Sequence, residues 1–207
     1  RISEKEAKSI EPRVITMENA LWSPTTCSVD PIQVMDSLLV DALEIGVKVV
    51  TDTCYLYSDR KNREIVTNKD NYNYGYFVNA AGLYADKIAI EWDFSKNYRI
   101  LPFKGLYLYS NPSLYKPKTH IYPVPDLNFP FLGVHFTLTV DGLAKIGPTA
   151  IPAFWRENYQ GFDRFNISEA IEIVYREAGL WMRNKFDFRT LASAEIRKYN
   201  KKNMIKD

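Results

Sequence analysis

His135 lies in Val134-His135-Phe136-Thr137-Leu138-Thr139-Val140, where apolar and polar residues alternate strictly. In an extended strand this spacing puts His135, Thr137 and Thr139 on one side and the apolar residues on the other. A neutral imidazole on such a face can accept a proton, which suits a general base or a hydrogen-bond partner. The same pattern also describes a structural histidine on a half-exposed sheet, and periodicity alone favours that use. Lys104, beside Gly105, offers an ammonium to a carboxylate; a lone lysine at a strand start is more commonly solvated. Tyr107 offers a hydroxyl, or simply packing with a wet tip. Gly147-Pro148 marks a turn. Ala80-Ala81-Gly82 let a backbone come close to something, either a ligand or a packed helix.

These residues need elements to hold them. Ser3–Glu11 reads as a short polar helix stopped by Pro12. Asp30 can cap a helix with Pro31 at its first position and Gln33 completing a capping box. Ile32, Met35, Leu38, Leu39, Ala42 and Leu43 continue that helix over 31–45, and Gly46 stops it. The β-branched run near 47–51 predicts a strand, and so does the stretch near 75–79 that enters the small residues. Between them, 55–69 reads as a hairpin or meander. From 101 to 150 the period-two pattern, interrupted by Pro123, Pro125 and Pro130, predicts an antiparallel sheet with one polar face. The stretch 154–206 reads as helical, with Asn166 and Glu169 placed for a cap and a basic final helix over Arg189–Lys206. The expected fold is therefore mixed α+β and α/β. It comprises a partial βαβ-type domain over 1–92 and an antiparallel-sheet domain with helices over 93–207.

Composition narrows the function classes. With 207 residues, 46% hydrophobic and 14% aromatic, the chain has enough buriable surface for a packed core rather than disorder. No stretch approaches the roughly 18 uncharged apolar residues of a membrane-spanning helix. The formal charge of +2 gives no reason to expect nucleic acid or an anionic membrane as a partner. Arg183, Lys185, Arg189, Arg197, Lys198, Lys201 and Lys202 are expected to form a solvated helix face. Cys27 and Cys54 read as buried thiols of a cytoplasmic protein. With only His120 and His135 beside them, no metal site is expected. Arg1 reads as a cut rather than a biological start.

Val78-Asn79-Ala80-Ala81-Gly82-Leu83-Tyr84-Ala85-Asp86 resembles the second flavin-contacting motif of FAD-dependent oxidoreductases related to D-amino-acid oxidase. Tyr122-Pro123-Val124-Pro125-Asp126, Phe131-Leu132-Gly133-Val134-His135-Phe136-Thr137 and Ile146-Gly147-Pro148-Thr149-Ala150 resemble the L-2-hydroxyglutarate oxidase/dehydrogenase branch. Val29-Asp30-Pro31 and Pro102-Phe103-Lys104-Gly105 fit in the same order. The resemblance implies FAD as cofactor, lying against the backbone of Ala80, Ala81 and Gly82 and near Gly147-Pro148. It implies His135 as the base, Lys104 and Tyr107 as substrate-binding residues, and hydride transfer from C2 of a 2-hydroxy acid to the flavin. The electron acceptor would be O2, a quinone or a carrier protein, and the location the cytoplasm or the face of a membrane. The bend at 80–82 and the His135 strand would border one cavity. Related alternatives are an amino-acid oxidase or dehydrogenase, or an inactive truncated binding module.

The GxGxxG turn that holds the FAD pyrophosphate in this family has no counterpart among the nine glycines. The late segment that closes the flavin site has none after Ile167. The expectation is the central part of a longer enzyme, so the isolated 207-residue chain should purify colourless. A yellow preparation with stoichiometric FAD, read by absorbance after denaturation, would overturn this.

Overall fold

The computed structural model describes residues 1–111, 117–125, 127, 131, 133–198 and 200–204. Pro130, Asp126, Leu132 and the expected helix end at Lys206 lie outside the described residues.

The chain opens with β1 (Ile2–Ser3), α1 (Glu4–Ile10) and β2 (Asn19–Ala20), with β1 antiparallel to β2. The Ser3 hydroxyl accepts the Glu6 N–H at 3.3 Å, and the Glu6 carboxylate accepts the Ser3 N–H at 2.8 Å. This reciprocal box satisfies two helix-start donors, and the helix stops ahead of Pro12. α2 (Pro31–Glu44) starts where Asp30 Oδ1 accepts the Ile32 N–H at 2.9 Å. It ends at Gly46, whose φ of +85° turns the chain so that Val47 N–H reaches the Ala42 carbonyl at 2.9 Å. No residue of α2 is buried; Leu38 and Leu39 are among its exposed apolar side chains.

The strand expected near 47–51 does not form. Val47, Val49 and Val50 are exposed, and a β-branched run without a hydrogen-bonded neighbour has nothing to hold it in a sheet. The next three strands are the expected meander: β3 (Tyr55–Asp59), β4 (Glu64–Thr67) and β5 (Asn71–Asn73), all antiparallel. Residues 75–79 are likewise not a strand, because the ladder ends at Asn73. Tyr76 and Val78 point to solvent, while Phe77 stacks on Tyr55 and Trp92 with ring centroids 5.8 and 5.0 Å apart. Aromatic packing, rather than strand pairing, fixes this stretch. A 3-10 turn (Gly82–Tyr84) then leads into α3 (Ala85–Glu91). Glu91 accepts Tyr55 Oη–H at 2.8 Å and Ser58 N–H at 2.7 Å, tying the helix to the meander.

The rest of the strands are β6 (Phe103–Lys104), β7 (Leu108–Tyr109), β8 (His135–Leu138), β9 (Ala144–Gly147) and β10 (Ile151–Pro152). They form a β7–β9–β8 sheet and a β10–β6 pair, antiparallel throughout. Every strand pair among the described residues is antiparallel, so the α+β description holds and no parallel βαβ pairing is seen. The expected helical stretch 154–206 is broken into α4 (Ile167–Arg183), α5 (Phe188–Arg197) and α6 (Lys201–Met204), after an irregular 154–166. Asn166 Oδ1 accepts the Ser168 and Glu169 N–H groups, each at 3.1 Å, and caps α4. Left-handed φ at Asn184, Phe186 and Asp187 separates α4 from α5. Arg189 is exposed, as expected, and also caps the end of α4, donating to the Trp181 and Met182 carbonyls at 2.7 and 2.9 Å.

The chain forms two compact units, Arg1–Ser37 with Phe103–Pro152 and Arg176–Asp207, and Leu38–Pro102 with Ala153–Tyr175. They interleave in sequence and do not follow a single cut at 92/93. In the first unit Ala144, Ala150, Ile151, Phe188 and Ala192 are buried; in the second, Ile65, Trp155 and Ile173. Cys27 and Cys54 are exposed, against the expectation of buried thiols, because both lie in connections outside the packed elements. No helix among the described residues is long and apolar enough to cross a membrane.

Glu177 on α4 carries a buried carboxylate oxygen without a hydrogen-bond partner among the described residues. Helical spacing puts Ile173 and Trp181 one turn away on its own face. Burial pushes its pKa up from 4.5 to about 7. A carboxyl raised on folding stabilises the fold fully below 4.5 and loses that contribution as pH rises through about 7. Glu177→Gln should therefore raise the melting temperature by a few degrees at about pH 8, with the gain vanishing towards pH 4.5. Calorimetry across that range checks it.

Candidate functional site

In the first unit, strand register puts His135 opposite Gly147 and Thr137 opposite Lys145, while Tyr109 also faces Lys145. These residues share one side of the β7–β9–β8 sheet. Leu108, Phe136, Leu138, Ala144 and Ile146 occupy the other, as the alternation predicts. The His135 ring stacks on Tyr122 with centroids 4.4 Å apart, and its Nδ1 lies 3.0 Å from the Gly133 carbonyl. A carbonyl can only accept, so Nδ1 carries a proton, and in the neutral ring Nε2 holds the lone pair. That is the tautomer a proton acceptor requires.

The neighbouring backbones approach closely. A Cβ on Gly147, whose φ is +146°, would stand 2.7 Å from both the Leu106 carbonyl oxygen and Tyr107 Cδ1. One on Gly105 would stand 2.7 Å from Pro148 Cβ. Only glycine fits at either position. Leu106 and Thr149 lock this approach: Leu106 N–H donates to Thr149 Oγ1 at 3.0 Å, and Thr149 N–H to the Leu106 carbonyl at 3.2 Å. The Gly147–Pro148 peptide is cis. Buried Glu195 on α5 accepts the Ala150 N–H at 2.7 Å and pairs with Lys198 at 2.8 Å, holding the segment after Pro148. Lys104 pairs with Ile151 across β6–β10, one residue before Gly105. The structure thus gathers Lys104, Tyr107, His135, Gly147 and Pro148 in one unit. It also adds Lys145, whose Nζ sits 3.6 Å from the Tyr107 ring centroid. The alternating pattern already contained that cation, since Lys145 lies two residues before Gly147 on the same strand.

Ala80, Ala81 and Gly82 lie in the second unit. Asn79 shapes the bend: its Oδ1 accepts the Ala81 N–H at 3.3 Å and its Nδ2 donates to the Ala85 carbonyl at 2.8 Å. Gly82 has φ +52° and no atom within 4 Å of where a Cβ would stand. Backbone conformation, not close packing on the protein, is what calls for glycine there. Ala80 and Gly82 are exposed, so the open side of the bend can receive a flat group against its backbone.

Behind the bend lies a cluster that sequence reasoning missed. Arg156, 2% exposed, forms a two-pronged pair with Asp86, with Nη1–Oδ1 at 2.8 Å and Nη2–Oδ2 at 2.9 Å. Its Nη1 also donates to the Leu83 carbonyl. Burial would raise the Asp86 carboxyl, but Arg156 and the Ile100 and Lys87 N–H groups outweigh it and hold the pKa below the usual range. Glu169 accepts the Arg156 backbone N–H at 3.3 Å and Lys87 Nζ at 2.8 Å. Tyr84 donates to Glu157 at 3.0 Å, and burial first, then this bond, pushes its pKa up to about 12.

A family model described as DAO, FAD dependent oxidoreductase, matches residues 1–192. The chain is similar to the mitochondrial L-2-hydroxyglutarate dehydrogenase of Bos taurus, 36% identical over 190 residues, which is 84% of this chain and 41% of that protein. It is similar to the L-2-hydroxyglutarate dehydrogenase of Indibacter alkaliphilus, 43% identical over 112 residues, covering 53% of this chain and 28% of that one. The mitochondrial L-2-hydroxyglutarate dehydrogenase of Homo sapiens is 47% identical over 100 residues, 48% of this chain and 21% of that protein. The chain thus spans about two-fifths or less of these relatives' length in the matched regions.

Gly147→Ala should force Leu106 and Tyr107 apart, destabilising the fold by about 1–3 kcal/mol, as over-packing does. Gly105→Ala meets one atom that close, Pro148 Cβ, with the Thr149 carbonyl oxygen and Tyr107 edge at 3.4 Å, and adds no left-handed backbone strain, so it should cost less. Denaturant melts of the two variants measure the difference.

Proposed function

Because the chain belongs to the FAD-dependent oxidoreductase family, whose model spans residues 1–192, we propose that it is part of an enzyme oxidising L-2-hydroxyglutarate, or a similar 2-hydroxy acid, to the 2-oxo acid. The relatives that carry the L-2-hydroxyglutarate dehydrogenase name support the substrate, and the sheet face bearing His135 supports the chemistry. FAD is the family's cofactor, and when bound it would supply the hydride-accepting chemistry of the reaction.

The chain's own residues divide the remaining work. The backbone of Ala80, Ala81 and Gly82 would hold the cofactor in the second unit. His135 Nε2 accepts the hydroxyl proton as the carbonyl forms. Its Nδ1–H on the Gly133 carbonyl and its stack on Tyr122 keep the ring in that tautomer and orientation. Lys104 supplies positive charge and Tyr107 a hydroxyl to the substrate carboxylates. A dicarboxylate needs both ends anchored, whereas an amino-acid or monocarboxylate substrate needs one. The electrons pass on to O2, a quinone or a carrier protein. The protein works in the cytoplasm or at a membrane face, which cell fractionation tests.

The polar sheet face carries this reading: His135 opposite Gly147, with the Tyr107 ring against that glycine. In the full-length, FAD-loaded enzyme that contains these residues, anaerobic L-2-hydroxyglutarate should bleach the flavin absorbance and yield 2-oxoglutarate. His135→Asn should lower kcat by about 10²–10⁴-fold and change KM little. Unbleached flavin with this substrate would remove the proposal, and a wild-type kcat in the variant would remove His135 as the base.

A further inference from the structure

We infer that Arg156 is a positioning residue for cofactor binding, acting through Asp86 and the Leu83 carbonyl on the bend at 80–82. This rests on the reading that the bend meets FAD. The bend is anchored on both sides. Asn79 grips Ala81 and Ala85, while one guanidinium takes both oxygens of Asp86 and the Leu83 carbonyl directly after Gly82. Asp86 in turn receives the Lys87 and Ile100 N–H groups at 2.9 and 3.1 Å, so movement of the guanidinium is transmitted to the whole start of α3. Glu169 holds Arg156 from behind by its backbone N–H, and it also holds Lys87. Lys87 Nζ and the Arg156 guanidinium lie 5.4 and 5.6 Å from the Tyr84 ring centroid, which closes the space on that side. Arg156 belongs to an irregular segment seventy residues after Asp86, and everything it grips lies within Leu83–Lys87 or Glu169.

The planar fork carries the argument. A lysine at 156 keeps the charge beside Asp86 but cannot span two carboxylate oxygens and a carbonyl from fixed directions. The bend would then keep its sequence and lose its set position, while the open space at Gly82 stays open. Asp86→Glu makes the complementary change: it retains the pair but displaces the guanidinium by the length of one methylene.

The test uses the full-length enzyme that contains these residues, in its FAD-loaded and apo forms. Arg156→Lys, Asp86→Glu and Gly82→Asn are compared by FAD titration, by the visible circular dichroism of bound flavin, and by the apo melting temperature. Asparagine tolerates left-handed φ, so Gly82→Asn fills the open space with little backbone strain. Arg156→Lys and Asp86→Glu are expected to raise the FAD Kd by about tenfold or more and to change the flavin dichroism, at temperatures where the apo variants stay folded. Gly82→Asn should raise Kd at least as much. If Gly82→Asn weakens binding while Arg156→Lys and Asp86→Glu bind as wild type but melt lower, the pair is structural and the inference fails alone. An unchanged Kd in Gly82→Asn overturns the underlying reading and the inference with it. If neither Arg156→Lys nor Asp86→Glu yields folded protein, the pair serves folding, and the positioning role is withdrawn.

Discussion

A guanidinium almost entirely withdrawn from water dictates the second unit. Burying one such ion costs several kcal/mol, which is recovered only when the geometry of its partners is close to ideal. Arg156 meets that demand at its two Nη atoms, with Asp86 in a fork and the Leu83 carbonyl; Nε has no hydrogen-bond partner among the described residues and has the Glu169 carboxylate 3.9 Å away. Each partner is thereby fixed. The irregular chain at 153–158, the start of α3 and the start of α4 converge on this charge, and the bend at 80–82 inherits its position from it. Removing either side would strand the other in a low-dielectric interior, a loss of about 3–5 kcal/mol.

The first unit is governed instead by close backbone approach. Gly105 and Gly147 let two chain segments come nearer than any side chain permits, and Thr149 stitches them with bonds in both directions. Glu195 fixes the segment that follows. On this frame the polar sheet face presents an imidazole, a cation and phenol rings side by side, with the imidazole tautomer set by one carbonyl.

Local signals were legible in the sequence, and distant ones were not. Asp30 before Pro31 and Asn166 before Ile167 announced two helix starts, because capping is settled within four residues. The alternation through 134–140 announced the two faces of β8, because a pleat needs only period two. The runs near 47–51 and 75–79 misled, since β propensity describes a residue's fitness for a sheet and not the presence of a neighbouring strand. Cys27 and Cys54 misled for a similar reason: average burial says nothing about a thiol in a connection. Arg156 left no local trace. Its meaning lies in Asp86, and no periodicity links positions so far apart.

That separation has a consequence for the order of events during synthesis. The ribosome releases the chain from its N-terminal end, so Asp86 and the Leu83 carbonyl emerge well before their partner. Until Arg156 has cleared the exit tunnel, the nascent bend has Asn79 alone to shape it. A long loop must then close before the buried charge finds its counter-ion. Maturation of this part of the protein therefore waits until Arg156 has left the ribosome.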